Sequence, residues 1–210
     1  MSLQLLVIAK QPVPGRVKTR LCPPCTPEQA AAVADAALRD TLDAADRTPA
    51  VRRTLVVHGR YTPPAGWSVV HQRGDGLGER LANAFAGTAR PGTASLLVGM
   101  DTPQLDADLL TRVASGLDGA DAVLGPAEDG GWWVLALRDP HQASALTGVR
   151  MSTSDTGADT AGALRRRGLT VATAPPLRDV DTAADAWAVA AAHPDGRFAA
   201  AVRRHVPVPR

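Results

Sequence analysis

The sequence predicts an α/β fold in which a mainly parallel sheet is flanked by helices, and three observations lead to this expectation. Short apolar runs alternate with longer amphipathic stretches, which is the pattern of strands joined by helical crossovers. The apolar runs are rich in Val, Leu and Ile and too short for helices, as expected of strands buried on both faces. A length of 210 residues with 45% hydrophobic content suits one domain, residues 1–210, with a substantial core.

The individual elements follow from these runs and from the residues that bound them. Residues 3–9 form the first expected strand, and Thr26, Pro27 and Gln29 then mark the start of a helix reaching about residue 45, as an N-cap, a first-turn proline and a capping-box partner. An amphipathic helix is expected to present Leu77, Leu81, Ala84 and Phe85 on one face. Further strands are expected at 53–58, 68–71, 96–98, 121–125, 132–137 and 169–174, and further helices at 106–117, 155–168 and the C-terminus.

Composition and charge exclude several classes of function. The net charge of +2 is too small to indicate nucleic-acid binding, and no aromatic residues are interleaved with the arginines near residue 166. No apolar run approaches membrane-spanning length and no signal peptide is recognisable, so we expect a cytoplasmic protein. Cys22 and Cys25 could form a redox or zinc pair, but the five scattered histidines favour two reduced loop cysteines.

The loop after the first strand carries four cations, Lys10, Arg16, Lys18 and Arg20, together with Gly15. Loops at the carboxyl ends of parallel strands form the ligand-binding edge of an α/β sheet. Cations that converge there can bind a phosphate through charge-assisted hydrogen bonds. The loop therefore indicates a phosphate site, and a solvated basic loop is the alternative.

A second loop places Gly74, Gly76 and Gly78 at alternate positions just before a helix. The spacing departs from the G-x-G-x-x-G fingerprint of dinucleotide-binding proteins, which disfavours a nicotinamide enzyme. Glycines before a helix expose backbone N–H groups, so this loop is either a close approach to a nucleotide or a plain turn.

Three aspartates are candidate metal ligands. Asp101 ends a buried strand, and Asp179 and Asp181 are two residues apart in an extended segment, so that both carboxylates face the same side. Carboxylates at this edge can hold a divalent cation against phosphate oxygens. The alternative is that Asp101 and one of the later pair are ordinary turn or helix caps.

A polar turn separates the strands expected at 121–125 and 132–137. It carries four residues that could line a pocket: Glu128, Asp129, Gly130 and Gly131. Such a turn is usually only a hairpin loop. If the strands are sequential neighbours, however, it lies close to the end of the Asp101 strand.

Five segments together resemble a bacterial family of glycosyltransferase-like proteins in the GT-A, or nucleotide-diphospho-sugar transferase, superfamily, over roughly residues 4–190. They are AKQPVPGRVKTRL, LGERLANAF, GMDTPQL, GPAEDGGWWVLAL and PPLRDVDT. The sequence is also similar to phospholactate guanylyltransferases and, more distantly, to molybdenum-cofactor guanylyltransferases. The resemblance implies a Rossmann-like mixed sheet and the use of a nucleotide or nucleotide sugar with a small-molecule acceptor.

The resemblance also implies roles for particular residues. Four residues would bind nucleotide phosphates: Gly15, Arg16, Lys18 and Arg20. Two glycines would approach the nucleoside: Gly76 and Gly78. Three carboxylates would hold Mg²⁺ or Mn²⁺: Asp101, Asp179 and Asp181. The turn at the acceptor pocket would be formed by Glu128, Asp129, Gly130 and Gly131. The transfer itself is expected to depend on Asp101, Lys18 and Arg20.

Two reactions of this superfamily need the same electrostatic arrangement. A glycosyltransferase, which is our first expectation, moves a sugar and releases a nucleoside diphosphate. A nucleotidylyltransferase, guanylyltransferase-like, joins an NTP to a phosphorylated acceptor and releases pyrophosphate. A non-catalytic nucleotide-binding protein is a third possibility, which the presence of all three candidate metal carboxylates disfavours.

Overall fold

A computed structural model of the chain describes residues 2–208, which form one seven-stranded sheet flanked by helices. The strands are β1 Ser2–Lys10, β2 Arg52–His58, β3 Ser68–His71, β4 Thr93–Gly99, β5 Ala122–Pro126, β6 Trp132–Leu137 and β7 Val171–Thr173. The helices are α1 Pro27–Arg47, α2 Leu77–Thr88, α3 Ala107–Ser115, α4 Thr156–Arg166, α5 Ala183–Ala192 and α6 Arg197–His205.

The sheet is mixed but mainly parallel, as predicted. Its strand order is β3-β2-β1-β4-β6-β5-β7, and β6 runs antiparallel to both of its neighbours while the other pairs are parallel. β6 follows β5 through a short turn, and a chain that turns back directly must pair in the antiparallel sense. This hairpin brings the turn between β5 and β6 to the edge where the parallel strands end.

Two of the predicted helix starts are confirmed by their hydrogen bonds. The Thr26 hydroxyl accepts from the Gln29 backbone N–H, and the Gln29 side chain accepts from the Thr26 N–H at 2.8 Å, which completes the capping box of α1. The Asp106 carboxylate accepts from the Leu109 N–H at 2.6 Å at the start of α3. Each cap satisfies backbone donors that the first turn of a helix leaves free.

The sheet buries apolar side chains on both faces, because successive residues of β4 point to opposite sides. Leu96 packs towards α1 and α3, whereas Leu97 packs towards α2, α4 and the 3-10 segment Pro140–Gly148. A third apolar cluster, which includes Phe198, joins α1 to α5 and α6. No helix within residues 2–208 is long and apolar enough to cross a membrane.

The structure differs from the sequence prediction in three elements. Residues 140–148, which carried no regular pattern, form a 3-10 segment that packs against α2. The C-terminal helical stretch is two helices, broken after Ala192 by residues that include Pro194. Leu77, expected on the buried face of α2, is 45% exposed because it occupies the first helical position at the edge of the sheet.

Candidate functional site

A cleft of about 770 Å³ opens at the carboxyl-terminal edge of the parallel strands. This is where α/β sheets commonly bind ligands. Its walls come from the end of β1, the basic loop, the first turn of α2, the turns after β4 and β5, and the segment after β7. The charged residues that line it are Lys10, Arg16, Lys18, Arg20, Arg80, Asp101, Asp129, Asp179 and Asp181.

Lys18 lies at the centre of the charged part of the cleft. Its Nζ is 2.6 Å from Asp101 Oδ1 and 3.4 Å from Asp181 Oδ1, and it also donates to the Val180 carbonyl. An ammonium has three N–H donors, so these three acceptors saturate it. Lys18 thereby joins the basic loop to both acid-bearing segments.

The electrostatics of Lys18 keep it charged. Burial alone would lower the pKa of this side chain, which is only 7% exposed, but attraction to Asp101 and Asp181 outweighs burial and raises the pKa above its usual value. Its backbone has a φ of 48°, in the left-handed region that residues other than glycine and asparagine seldom adopt. A lysine with strained backbone and a saturated ammonium is held in one position.

Arg20 differs from Lys18 because much of it remains open to the cleft. One nitrogen, Nη1, is 2.8 Å from Asp181 Oδ2, while the side chain is 73% exposed. The guanidinium has five N–H donors, so most of them stay free for another anion. Arg16 and Lys10 are also exposed and line the same cleft.

Three carboxylates converge in the cleft near the cations of the basic loop. Asp129, Asp179 and Asp181 each offer one oxygen, and these oxygens lie within 4.8 Å of one another. Burial of Asp179, followed by the negative charges of Asp129 and Asp181, raises the pKa of Asp179 to about 6. The cluster therefore carries negative charge that the protein does not fully neutralise.

Backbone hydrogen bonds hold the two acid-bearing segments together. The Leu177 N–H donates to the Pro126 carbonyl at 3.1 Å, the Glu128 N–H donates to the Leu177 carbonyl at 3.0 Å, and the Val180 N–H donates to the Asp101 carbonyl at 2.9 Å. These bonds pair the end of β5 and the turn after β4 with residues 177–180. The carboxylates are thus fixed by main-chain pairing, which favours a preformed site.

The candidate metal residues are distributed differently from the set expected from sequence. Asp179 and Asp181 are brought together, and their third close neighbour is Asp129. Asp101 lies beside them through its contact with Lys18, the ammonium that Asp181 also contacts. The sequence predicts Asp129 only as a residue of the acceptor turn. The signal that could have indicated a metal-binding role is the β5–β6 hairpin, because it returns this turn to the edge of the sheet.

The four candidate residues of the acceptor turn lie in different surroundings. Asp129 and Gly131 line the cleft, whereas Gly130 lines a separate small cavity of about 300 Å³. Glu128 forms an exposed ion pair with Arg178 at 2.7 Å. The turn therefore faces the cleft through only part of its length.

The remaining glycine candidates and the cysteines are not among the residues that line the cleft. Gly15 is in a turn of the basic loop, and Gly76 is the N-cap of α2. A Cβ on Gly78 would stand 2.4 Å from the Leu146 carbonyl oxygen, so this glycine serves helix packing. Cys22 and Cys25 are both free thiols.

The clustered donors fit a hard divalent cation. Mg²⁺ and Mn²⁺ prefer carboxylate and water oxygens, and three carboxylates within reach of one ion provide them. The raised pKa of Asp179 points the same way, because a cation placed among these groups would relieve their mutual repulsion.

Comparison with known proteins identifies a family and a fold. Residues 28–153 match the family model described as "Uncharacterized protein conserved in bacteria (DUF2064)". No curated protein matches the chain significantly. A solved structure from Desulfovibrio desulfuricans G20, of a candidate nucleotide-diphospho-sugar transferase, is 26% identical with a TM-score of 0.85, and the match covers 97% of this chain and 98% of that one.

Two further solved structures share the fold at lower identity. Rv0371c from Mycobacterium tuberculosis H37Rv in complex with manganese is 19% identical, with a TM-score of 0.56 and coverage of 90% of this chain and 98% of that one. CMP:2-keto-3-deoxy-manno-octonic acid synthetase complexed with CTP is 10% identical, with a TM-score of 0.60 and coverage of 92% and 99%. The fold is thus that of the nucleotide-diphospho-sugar transferases.

Proposed function

The chain belongs to the bacterial protein family DUF2064, and we propose that it is a metal-dependent transferase that uses a nucleotide. We propose further that it moves a sugar from a nucleoside-diphosphate sugar to a small acceptor. One observation carries the proposal: a cation-rich loop and four carboxylates meet in one cleft at the carboxyl edge of the sheet. That pairing of charges suits a diphosphate held between protein cations and a divalent metal.

In this proposal the basic loop binds the diphosphate. Arg20 is the main ligand, because its guanidinium is exposed to the cleft and keeps free donors in a planar fork that matches phosphate oxygens. Arg16 and Lys10 add positive charge at the same wall. Lys18 adds positive charge to the site but does not contact the diphosphate, since its N–H donors are occupied by acceptors of the protein.

The carboxylates supply the metal site. Asp129, Asp179 and Asp181 are the proposed ligands, and Asp101 borders them through the shared Lys18 ammonium. A bound Mg²⁺ or Mn²⁺ would neutralise charge on the departing diphosphate. Rv0371c, which has the same fold, is solved in complex with manganese, and this supports a divalent metal in a protein of this fold.

A second reaction, nucleotidyl transfer, is supported by a different observation. The synthetase that shares this fold is complexed with CTP, an intact nucleoside triphosphate. A cleft of about 770 Å³ has room for a triphosphate and a small phosphorylated acceptor. In that reaction the acceptor phosphate would attack the α-phosphorus and pyrophosphate would leave, using the same cations and carboxylates.

Calorimetric titration with nucleotide sugars and NTPs, each with Mg²⁺ or Mn²⁺, separates the two reactions. We expect a nucleoside-diphosphate sugar to bind and to release its nucleoside diphosphate when an acceptor is added. Binding of GTP with pyrophosphate release on adding a phosphorylated acceptor would replace glycosyl transfer by nucleotidyl transfer.

Carboxylate substitutions test whether the site is a metal-dependent catalyst at all. Asp179→Asn should weaken Mn²⁺ binding at least tenfold, because it removes one charged ligand from the cluster. Asp118→Asn, a matched change at an exposed acid in the turn that follows the C-terminal end of α3, should leave Mn²⁺ binding unchanged. If Asp179→Asn and Asp101→Asn both leave metal-dependent nucleotide binding intact, the protein is better described as a non-catalytic nucleotide-binding protein.

A further inference from the structure

One wall of the cleft is apolar. Four partly exposed side chains form it: Ile8, Leu77, Trp132 and Met151. Ile8, Trp132 and Met151 are also at the margin of the apolar cluster that packs between the sheet and α2. We call these four residues the apolar wall. It continues the buried core into the cleft, so a ligand placed there meets hydrocarbon.

The exposure of Leu77 shows that the apolar wall is not covered by other parts of the protein. Among the described residues, the large apolar side chains with high exposure are Val51, Val69, Leu77 and Val208, and of these only Leu77 lines the cleft. The Met151 methyl lies 3.4 Å from the position that a Cβ on Gly78 would take, so Met151 packs against the same turn of α2. Contiguous exposed apolar surface inside a cleft commonly marks a binding site.

Two polar side chains beside the apolar wall, Gln72 and Arg80, make hydrogen bonds within the protein. The Gln72 amide nitrogen donates to the Ala9 and Val56 carbonyls at 2.8 and 3.2 Å, and Arg80 Nε donates to the Gly74 carbonyl at 3.0 Å. The wall itself is formed by side chains that are mainly hydrocarbon, so it suits an apolar body better than a polar one.

The position of Trp132 relates the apolar wall to the reacting groups. Trp132 begins β6 immediately after the turn that carries Asp129, one of the three clustered acids. A small molecule whose body rests on Trp132 can thus direct a polar group towards the carboxylates. Ser152, Thr153 and Ser154 line the cleft next to Met151 and provide a polar rim.

We infer that the acceptor is a small alcohol with an aromatic or branched aliphatic body, which packs on the apolar wall and directs its hydroxyl at the acidic cluster. This inference rests on the proposed glycosyl transfer. In that transfer the alcohol oxygen forms the bond to the sugar carbon, and the bond from that carbon to the diphosphate breaks. The electron pair leaves with the diphosphate, and the hydroxyl proton passes to solvent.

Binding of benzyl alcohol and glycerol to the Mg²⁺-loaded protein, measured by saturation-transfer NMR titration, tests the inference. Benzyl alcohol should bind at least about tenfold more tightly than glycerol, because its ring buries apolar surface against Trp132. Trp132→Ala should remove that preference and Trp132→Phe should keep most of it. Leu77→Gln, a change at an exposed position that does not endanger folding, should weaken benzyl alcohol binding in the same direction.

Two controls make the result specific. Trp67→Ala removes an indole that hydrogen-bonds Asp46 outside the cleft, and it should leave both alcohols unaffected. Binding of nucleoside diphosphates (ADP, CDP, GDP and UDP) with Mg²⁺, measured on the same variants, should be unchanged in Trp132→Ala. Equal affinity for the two alcohols, or a loss of nucleoside-diphosphate binding in Trp132→Ala with benzyl alcohol binding intact, would overturn the inference. Absence of nucleotide binding by the unmodified protein would instead contradict the proposed function.

Discussion

The Lys18 ammonium lies 2.6 Å from the Asp101 carboxylate, and this pair joins the loop after β1 to the turn after β4. Lys18 is almost fully buried, whereas the Asp101 side chain is 45% exposed to the cleft. The positive charge of Lys18 therefore interacts with acceptors of the protein itself and is not available to bind a phosphate. Lys18 sets the position of the acids, and Arg20 presents the cation that a ligand can reach.

Lys18→Met should destabilise the protein by about 2 kcal/mol, less than a fully buried pair would cost, since the carboxylate partner keeps part of its hydration. The substitution keeps the length of the side chain but leaves Asp101 and the Val180 carbonyl without this donor, and leaves Asp181 with Arg20 alone. Urea denaturation at pH 7 measures the change. Lys10→Met alters an exposed lysine of the same loop and should stay within about 0.5 kcal/mol. Equal stability of the two variants would contradict the role of Lys18.

Arg20→Gln should weaken binding of a nucleoside diphosphate about tenfold, because it removes charge-assisted hydrogen bonds to phosphate. Stability should scarcely change, since the side chain is 73% exposed. Calorimetry at low and high salt measures the affinity. Arg112→Gln, at an exposed arginine of α3, serves as the matched control. An affinity that is the same in both variants would remove Arg20 from the phosphate site.

The stability of the metal-free protein should fall as pH rises between about 4 and 6. Asp179 has a pKa of about 6 in the folded protein against an ordinary value of 3.8 for an aspartate, so over this range the folded state binds more protons than the unfolded state. Ionisation of Asp179 therefore lowers the free energy of unfolding. Above about pH 6 Asp179 is ionised in both states, and its effect on the free energy of unfolding no longer changes with pH. Asp179→Asn should lose this part of the pH dependence in urea titrations, and Asp118→Asn should retain it.

Metal should reverse that pH effect. A cation competes with the proton for Asp179, so Mn²⁺ affinity should increase from pH 5 to pH 7 and added Mn²⁺ should stabilise the protein most above pH 6. Thermal unfolding with and without Mn²⁺ at several pH values measures it. A stabilisation that does not vary with pH would place the metal away from Asp179.

Much of the fold could be predicted because its signals are local. Thr26 and Asp106 cap helices with hydrogen bonds to residues three positions away, and the apolar run around Leu96 is long enough only for a strand. The 3-10 segment Pro140–Gly148 could not be predicted in this way. It is held by packing on α2, where Gly78 lets the Leu146 carbonyl approach, and such a contact leaves no periodic pattern.

The site depended on contacts that are distant in sequence. That Asp101, Asp179 and Asp181 all lie at the carboxyl edge could be predicted from their places after strands. That Lys18 would bury its ammonium between two of them could not, because the contact with Asp181 spans 163 residues. Asp129 joins the cluster only through the hairpin pairing of β5 with β6 and the hydrogen bonds of Leu177 with Pro126 and Glu128.

Gly130→Ala should destabilise the protein far more than Gly15→Ala. Both glycines have positive φ, of 89° and 74°, so both substitutions carry a backbone cost of about 1 kcal/mol. A Cβ on Gly130 would also stand 1.9 Å from the Ser154 carbonyl oxygen, whereas a Cβ on Gly15 would meet nothing within 4 Å. The Gly130 variant must displace either the acid-bearing turn or the start of α4, and urea denaturation should show a loss above about 3 kcal/mol.

Because the turn carries Asp129, Gly130→Ala should also lower the Mn²⁺ affinity, while Gly15→Ala keeps the metal site. Similar losses in the two variants would mean that the close contact with Ser154 does not hold the turn in place.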